Sequence, residues 1–91
     1  MEYRHEKNLI ALYDESGERL ARVEFPAVGE NIVEVTHTVV DESVRGQGIA
    51  GQLMKELVKE LREDGRKAEL SCSYAVRWFE KHPECGDVLQ E

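Results

Sequence analysis

The chain has 91 residues, 41% hydrophobic and 34% charged, with a formal net charge of −7. That length supports one small domain, residues 1–91, with one core that buries roughly two-thirds of the unfolded surface. The acidic balance and the lack of a basic stripe exclude a nucleic-acid binder, and no run reaches the ~18–20 apolar residues that cross a bilayer. The opening Met1 to Lys7 has no apolar signal-peptide core, so the expectation is a soluble cytoplasmic protein with no membrane partner.

Residues 8–14, Asn-Leu-Ile-Ala-Leu-Tyr-Asp, are a short apolar run that stops at the turn residues Asp14 to Glu18. Residues 19–25 alternate, with Ala21, Val23 and Phe25 on one face, which reads as a half-buried strand closing a hairpin. Pro26 and Gly29 then break the chain. Residues 32–40 are β-branched and alternate, placing Val33, Val35, His37 and Val39 on one face and Glu34, Thr36 and Thr38 on the other. The three strands make an antiparallel meander.

After the loop 41–48 the period changes from 2 to 3.6. Ile49, Ala50, Leu53, Met54, Leu57, Val58 and Leu61 form one apolar stripe, predicting a helix of about four turns that ends at Gly65. Lys67 to Cys72 reads as a strand with Ala68, Leu70 and Cys72 facing one way. Ser73 is the expected N-cap of a last helix, Tyr74 to Lys81, stopped by Pro83, with Val88 and Leu89 packing back as a tail. The fold class is therefore α+β: a mixed, mostly antiparallel sheet with a central amphipathic helix and a C-terminal helix. One crossover of the parallel kind is grafted onto the meander.

Two cysteines, Cys72 and Cys85, make a poor disulfide framework, and free thiols are the expectation in an intracellular setting. Cys72, His82 and Cys85 have no zinc-ligand spacing, so no metal is expected. The chemistry concentrates instead in Arg45-Gly46-Gln47-Gly48-Ile49-Ala50-Gly51, between a strand and the long helix. Glycines let the backbone approach phosphate oxygens, free N–H groups point into the loop, and the helix N-terminus adds positive potential. A pyrophosphate-bearing cofactor fits such a loop. The net charge is −6 over residues 1–44 and −1 over residues 45–91, so the second half better tolerates an anion and the first favours a cation such as an amine.

Gly46-x-Gly48-x-x-Gly51 formally matches a dinucleotide fingerprint, with Glu69 near the spacing of a ribose-binding acid. Three antiparallel strands come before it, Asp41 to Arg45 lengthen the turn, and 91 residues leave no room for a second nucleotide half. Those features count against a nicotinamide-nucleotide binder. Glycines that merely relieve a tight turn are the structural alternative.

Arg45-x-x-Gly48-x-Ala50 resembles the defining loop of the GNAT acetyltransferase family. His37-Thr38 ahead of it, Cys72-Ser73-Tyr74 after it, and Lys81-His82-Pro83-Glu84 near the end are similar to the short, single-domain GNAT-like subgroup, from residue 8 onward. Leu70, Ser73 and Cys85 depart from that subgroup, where prolines often flank the Cys and an aromatic follows His-Pro-Glu. The resemblance implies a truncated GNAT-like fold that binds acetyl-CoA through Arg45, Gly46, Gln47, Gly48, Ile49, Ala50 and Gly51. Backbone N–H groups near Val39 and Val40 would then polarise the thioester carbonyl. The larger enzymes carry a helical segment between their first two strands; its lack here implies a shallow pocket, open on the acceptor side.

The expected activity is N-acetyl transfer from acetyl-CoA to a small-molecule or protein amine, and the alternative is an acyl-CoA-binding module with little turnover. His37, with a reference pKa of about 6.5, is a candidate base or else a buried, hydrogen-bonded histidine. Tyr74 matches by position the tyrosine that many GNAT enzymes set near the CoA sulfur, as a proton donor or as packing. Cys72, at a strand end beside a helix N-terminus, is a candidate acyl acceptor or partner in a mixed disulfide with CoA, or else a small buried residue. His82 reads as a helix C-terminal cap. Edge strands of so short a chain leave a monomer or a weak homodimer as the expected state.

Overall fold

A computed structural model describes residues 1–90. Strands β1 (Glu2–Glu6), β2 (Leu9–Tyr13) and β3 (Arg19–Glu24) form successive antiparallel hairpins. The β2–β3 turn is organised by Asp14, whose carboxylate accepts from the N–H groups of Ser16 and Glu18 at 2.9 Å each, with Gly17 at φ 87°. β1 lies outside the expectation because its residues are almost all exposed and carry no apolar period.

Residues 32–40 do not form one strand. They divide at Thr36 into β5 (Ile32–Val35) and β6 (His37–Val40), and a short β4 (Ala27–Gly29) precedes them. β6 joins β1, β2 and β3 in a four-stranded antiparallel sheet, while β5 sits between β4 and a later strand in a second sheet. The Thr36 N–H donates to the Glu24 carbonyl at 3.0 Å, which marks where the chain passes from one sheet to the other.

This break resets the pleat. Val33 and Val35 are buried as expected, but His37 and Val39 point outward, and their partners across β3 are the polar Glu24 and Arg22. Thr38 and Val40 pair instead with Val23 and Ala21, both buried, so these two face the interior. His37 therefore does not share the Val33–Val35 face.

Helix α1 (Ile49–Asp64) follows a 3-10 turn, Glu42–Val44. It buries Ile49, Leu53, Met54, Leu57, Val58 and Leu61 against β2, β3 and β6, as its stripe predicts. Gly65 ends it in the left-handed conformation at φ 68°, where the Gly N–H reaches the Leu61 carbonyl. The chain then enters β7 (Lys67–Leu70), which pairs in parallel with β5 and completes the expected crossover.

β7 stops at Leu70. The N–H groups of Ser71 and Cys72 both donate to the Val35 carbonyl, at 3.1 and 3.0 Å, and the Cys72 carbonyl accepts from Val76. Helix α2 (Ser73–Lys81) thus starts one residue earlier than expected, with Cys72 rather than Ser73 in the extended N-cap conformation. Ala75, Trp78 and Phe79 are buried, whereas Val76 is exposed. His82 closes α2: its Nδ1–H donates to the Trp78 carbonyl at 2.7 Å and its ring stacks on Trp78 at 3.9 Å. A final 3-10 segment, Pro83–Val88, returns to β7, where Val88 is buried and the Gln90 N–H donates to Ala68. The tail packs back as read from the sequence.

Candidate active site

The connection from β6 to α1 is built by short-range hydrogen bonds. Asp41 accepts from the Ser43 hydroxyl at 2.5 Å and the Ser43 N–H at 2.9 Å, which together hold its carboxyl below the usual range. Val44 is buried and anchors the turn, and Arg45 follows in an extended, exposed conformation.

Gly46 and Gly48 take φ 81° and 74°, a region that residues with a side chain adopt only under strain. The space that a Cβ would fill is open at both. Gly51 differs: a Cβ there would make ordinary contact with Trp78 Nε1 at 3.6 Å and the Tyr74 hydroxyl at 3.7 Å, which shows that α2 packs its aromatic side chains on the start of α1.

Among the described residues, no N–H from Gly46 to Gly51 donates to a protein acceptor; the first helical bond runs from the Gln52 N–H to the Gly48 carbonyl at 3.1 Å. Unpartnered N–H groups at the positive end of a four-turn helix suit an anion. They open on a groove of about 200 Å³ lined by Val40, Val44, Arg45, Gly46, Gly48, Ile49, Ala50, Gly51 and Tyr74. Val39 and Gln47 do not line it; Val39 lies on the outer face with Arg22.

Tyr74 brings the groove to the N-terminus of α2. Burial raises its phenol pKa, and the neighbouring Cys72 adds to the rise. Cys72 is half-buried, with Sγ 3.5 Å from Thr38 Oγ1. Burial pushes this thiol up, but hydrogen bonds from the Thr38 hydroxyl and the Ala75 and Tyr74 N–H groups outweigh it and leave the pKa below the ordinary value. Cys85 is also a free thiol, raised by burial and by Glu84.

His37 stands apart. Its side chain is 67% exposed, 3.6 Å from Glu24 and 3.2 Å from the Thr36 hydroxyl, and it faces away from Thr38 and Cys72. Thr38, which strict alternation sets on the face opposite His37 and the buried valines, turns inward instead, and buried Val44 lines the groove without any sequence signal. The adjacent β-branched pair Val39-Val40 was the available signal for Thr38, since such a doublet fits either face of a strand. Among the described residues, no three His, Cys, Asp or Glu side chains gather as metal ligands.

Parted strands beside a glycine loop that opens a long crossover helix define the class as a GCN5-like acyltransferase fold. A family model for GCN5-related N-acetyl-transferase matches residues 8–88, and the chain belongs to that family. The NMR structure of a GCN5-like protein from Staphylococcus aureus superposes with a TM-score of 0.79 at 30% identity, covering 98% of this chain and 87% of that one. The GNAT family N-acetyltransferase YhbS from Escherichia coli, solved in complex with CoA, matches at 28% identity and a TM-score of 0.61, over 68% of this chain and 38% of that one. Protein NATD1 of Gallus gallus is 38% identical over 56 residues, or 62% of this chain. The chain covers 51% of that curated relative's length.

Proposed function

We propose that this chain holds the pyrophosphate of acetyl-CoA on the loop from Arg45 to Gly51 and passes the acetyl group to the nitrogen of a small-molecule or protein amine. The observation that carries this reading is the run of N–H groups from Gly46 to Gly51 without a protein acceptor, opening on a groove that ends at Tyr74. Bound acetyl-CoA would supply the acyl group as a thioester. Arg45 adds a charge-assisted contact to the phosphates. The N–H groups of Val39 and Val40 point to opposite edges of β6. That of Val39 faces Arg22 in the β3 ladder, while that of Val40 points away from β3, along the segment that β7 no longer accompanies, and is the one available to a polarised carbonyl.

Tyr74, at the end of the groove, serves as the proton donor to the departing thiolate; its phenol carries its proton at neutral pH. His37, on the outer face, takes no part in this scheme. The lowered thiol pKa of Cys72 favours a second route. Its thiolate attacks the thioester carbonyl, a new sulfur–carbon bond forms as the original one breaks, and the released thiolate takes the Tyr74 proton. The amine then displaces the Cys72 sulfur as its thiolate, and the proton that the amine loses returns through solvent to the Tyr74 phenolate.

Radiolabelled acetyl-CoA, a panel of amines and peptides, and acid quenching distinguish these readings. Labelled acceptor is the expected result. Retention of acceptor labelling in Cys72→Ser supports direct transfer, and acid-stable label on the wild type lost in Cys72→Ser supports the covalent route. Bound acetyl-CoA with no labelled acceptor and no labelled protein contradicts transfer and leaves a binding module.

A further inference from the structure

β6 turns two side chains inward, and they differ in kind: Val40 is apolar and Thr38 carries a hydroxyl. Valine fills four neighbouring positions, Val33, Val35, Val39 and Val40, and would match threonine in shape at position 38. The hydroxyl is thus the feature that needs a reason. Its partner is Cys72 Sγ at 3.5 Å, on an element 34 residues further along the chain, and no other side chain bonds it among the described residues. A hydroxyl suits both states of a sulfur, since it accepts from S–H and donates to the thiolate.

The paired register of β5 and β7 ends at Val35 and Leu70, and the Cys72 N–H makes the last backbone bond across, to the Val35 carbonyl. Beyond it, Thr38 of β6 meets Cys72 through side chains. Cys72 is also the N-cap residue of α2, so its sulfur sits beside the N-terminus of that helix. The Thr38 hydroxyl is the side chain that bonds it from the opposite element.

We infer that Thr38 is a positioning residue, whose hydroxyl reaches from β6 and holds the Cys72 sulfur beside the N-terminus of α2, ready to accept an acyl group. The inference rests on reading Cys72 as the acyl acceptor. The experiment uses Cys85→Ser as background, so that one thiol remains, and follows iodoacetamide alkylation against pH together with acid-stable labelling from radiolabelled acetyl-CoA. Thr38→Val is expected to move the alkylation midpoint up by about one pH unit and to slow labelling about tenfold, the loss of one hydrogen bond to a charged group. Thr38→Ser restores both. Thr38→Ala repeats the test without the bulk of valine, and circular dichroism confirms that each variant is folded. A shifted alkylation profile without protein labelling in any variant would keep the Thr38–Cys72 contact and defeat the acyl-acceptor reading. Unchanged alkylation and labelling in both Thr38→Val and Thr38→Ala would overturn the inference and leave Thr38 as packing.

Discussion

Gly48 and Gly65 sit at the two ends of α1 in the same left-handed conformation, with φ 74° and 68°, and neither has an atom within 4 Å of a built Cβ. Alanine at either position costs backbone strain without a clash, about 1 kcal/mol each. Only Gly48 lines the groove. Gly48→Ala and Gly65→Ala should therefore lose similar stability in urea unfolding, while Gly48→Ala alone weakens acetyl-CoA binding. Equal affinity in the two variants would detach the loop from the ligand. At this scale the sequence was readable where chemistry leaves one option, as at Gly46, Gly48 and Gly65. It was not readable at His37 and Thr38. Strict alternation assigns His37 inward, and only the tertiary switch of the chain between sheets at Thr36 reverses the faces.

Among the elements, α1 was legible throughout because one apolar stripe, a glycine stop and a charged outer face all agree. β1 and β4 were not. β1 is a polar edge strand, and what orders it lies far away in the chain. Its His5 ring is clamped by two carboxylates of α1, Nδ1 to Glu60 at 2.7 Å and Nε2 to Glu56 at 2.8 Å. Both nitrogens must donate, so the clamp needs the charged imidazolium. Burial opposes that charge, but the hydrogen bonds to Glu56 and Glu60 outweigh it and raise the pKa above the ordinary histidine value. A raised pKa gives stability that is full below the unfolded value of about 6.5 and fades as pH rises through the folded one. The Glu56 carboxyl, lowered by His5, adds the opposite limit, losing its contribution as acid protonates it. Tyr3 and Arg66 are the other titratable neighbours: Tyr3 is raised by burial and by Glu56, and Arg66 shares Glu60. His5→Gln should then destabilise the fold by up to about 1 kcal/mol at pH 5.5, as partly exposed ion pairs do, and by less at pH 8.5. Thermal melts at the two pH values measure this. A difference that grows with pH would contradict the clamp.

For the whole molecule, the α+β order and the single parallel crossover were readable because each follows from a change of period between elements. The division into two sheets was not, since it depends on which strands pair rather than on any local pattern. The hairpins β1–β2–β3 run on through short turns, and the groove beside the loop, about 200 Å³, is smaller than the roughly 300–1,000 Å³ of enclosed small-molecule sites. On the proposed reading, a ligand there would rest mainly on the unpartnered backbone N–H groups of the loop. Its binding would add to the stability of so small a domain, about 2.7 kcal/mol at one hundred times Kd.

The central claim is that the loop from Arg45 to Gly51 binds the pyrophosphate of acetyl-CoA. Isothermal titration of acetyl-CoA, CoA and NAD into the wild type and Gly48→Ala tests it most directly. Saturable binding of acetyl-CoA and CoA, weaker in Gly48→Ala and much weaker for NAD, is the predicted result; no heat with acetyl-CoA, or tighter binding of NAD, would contradict it.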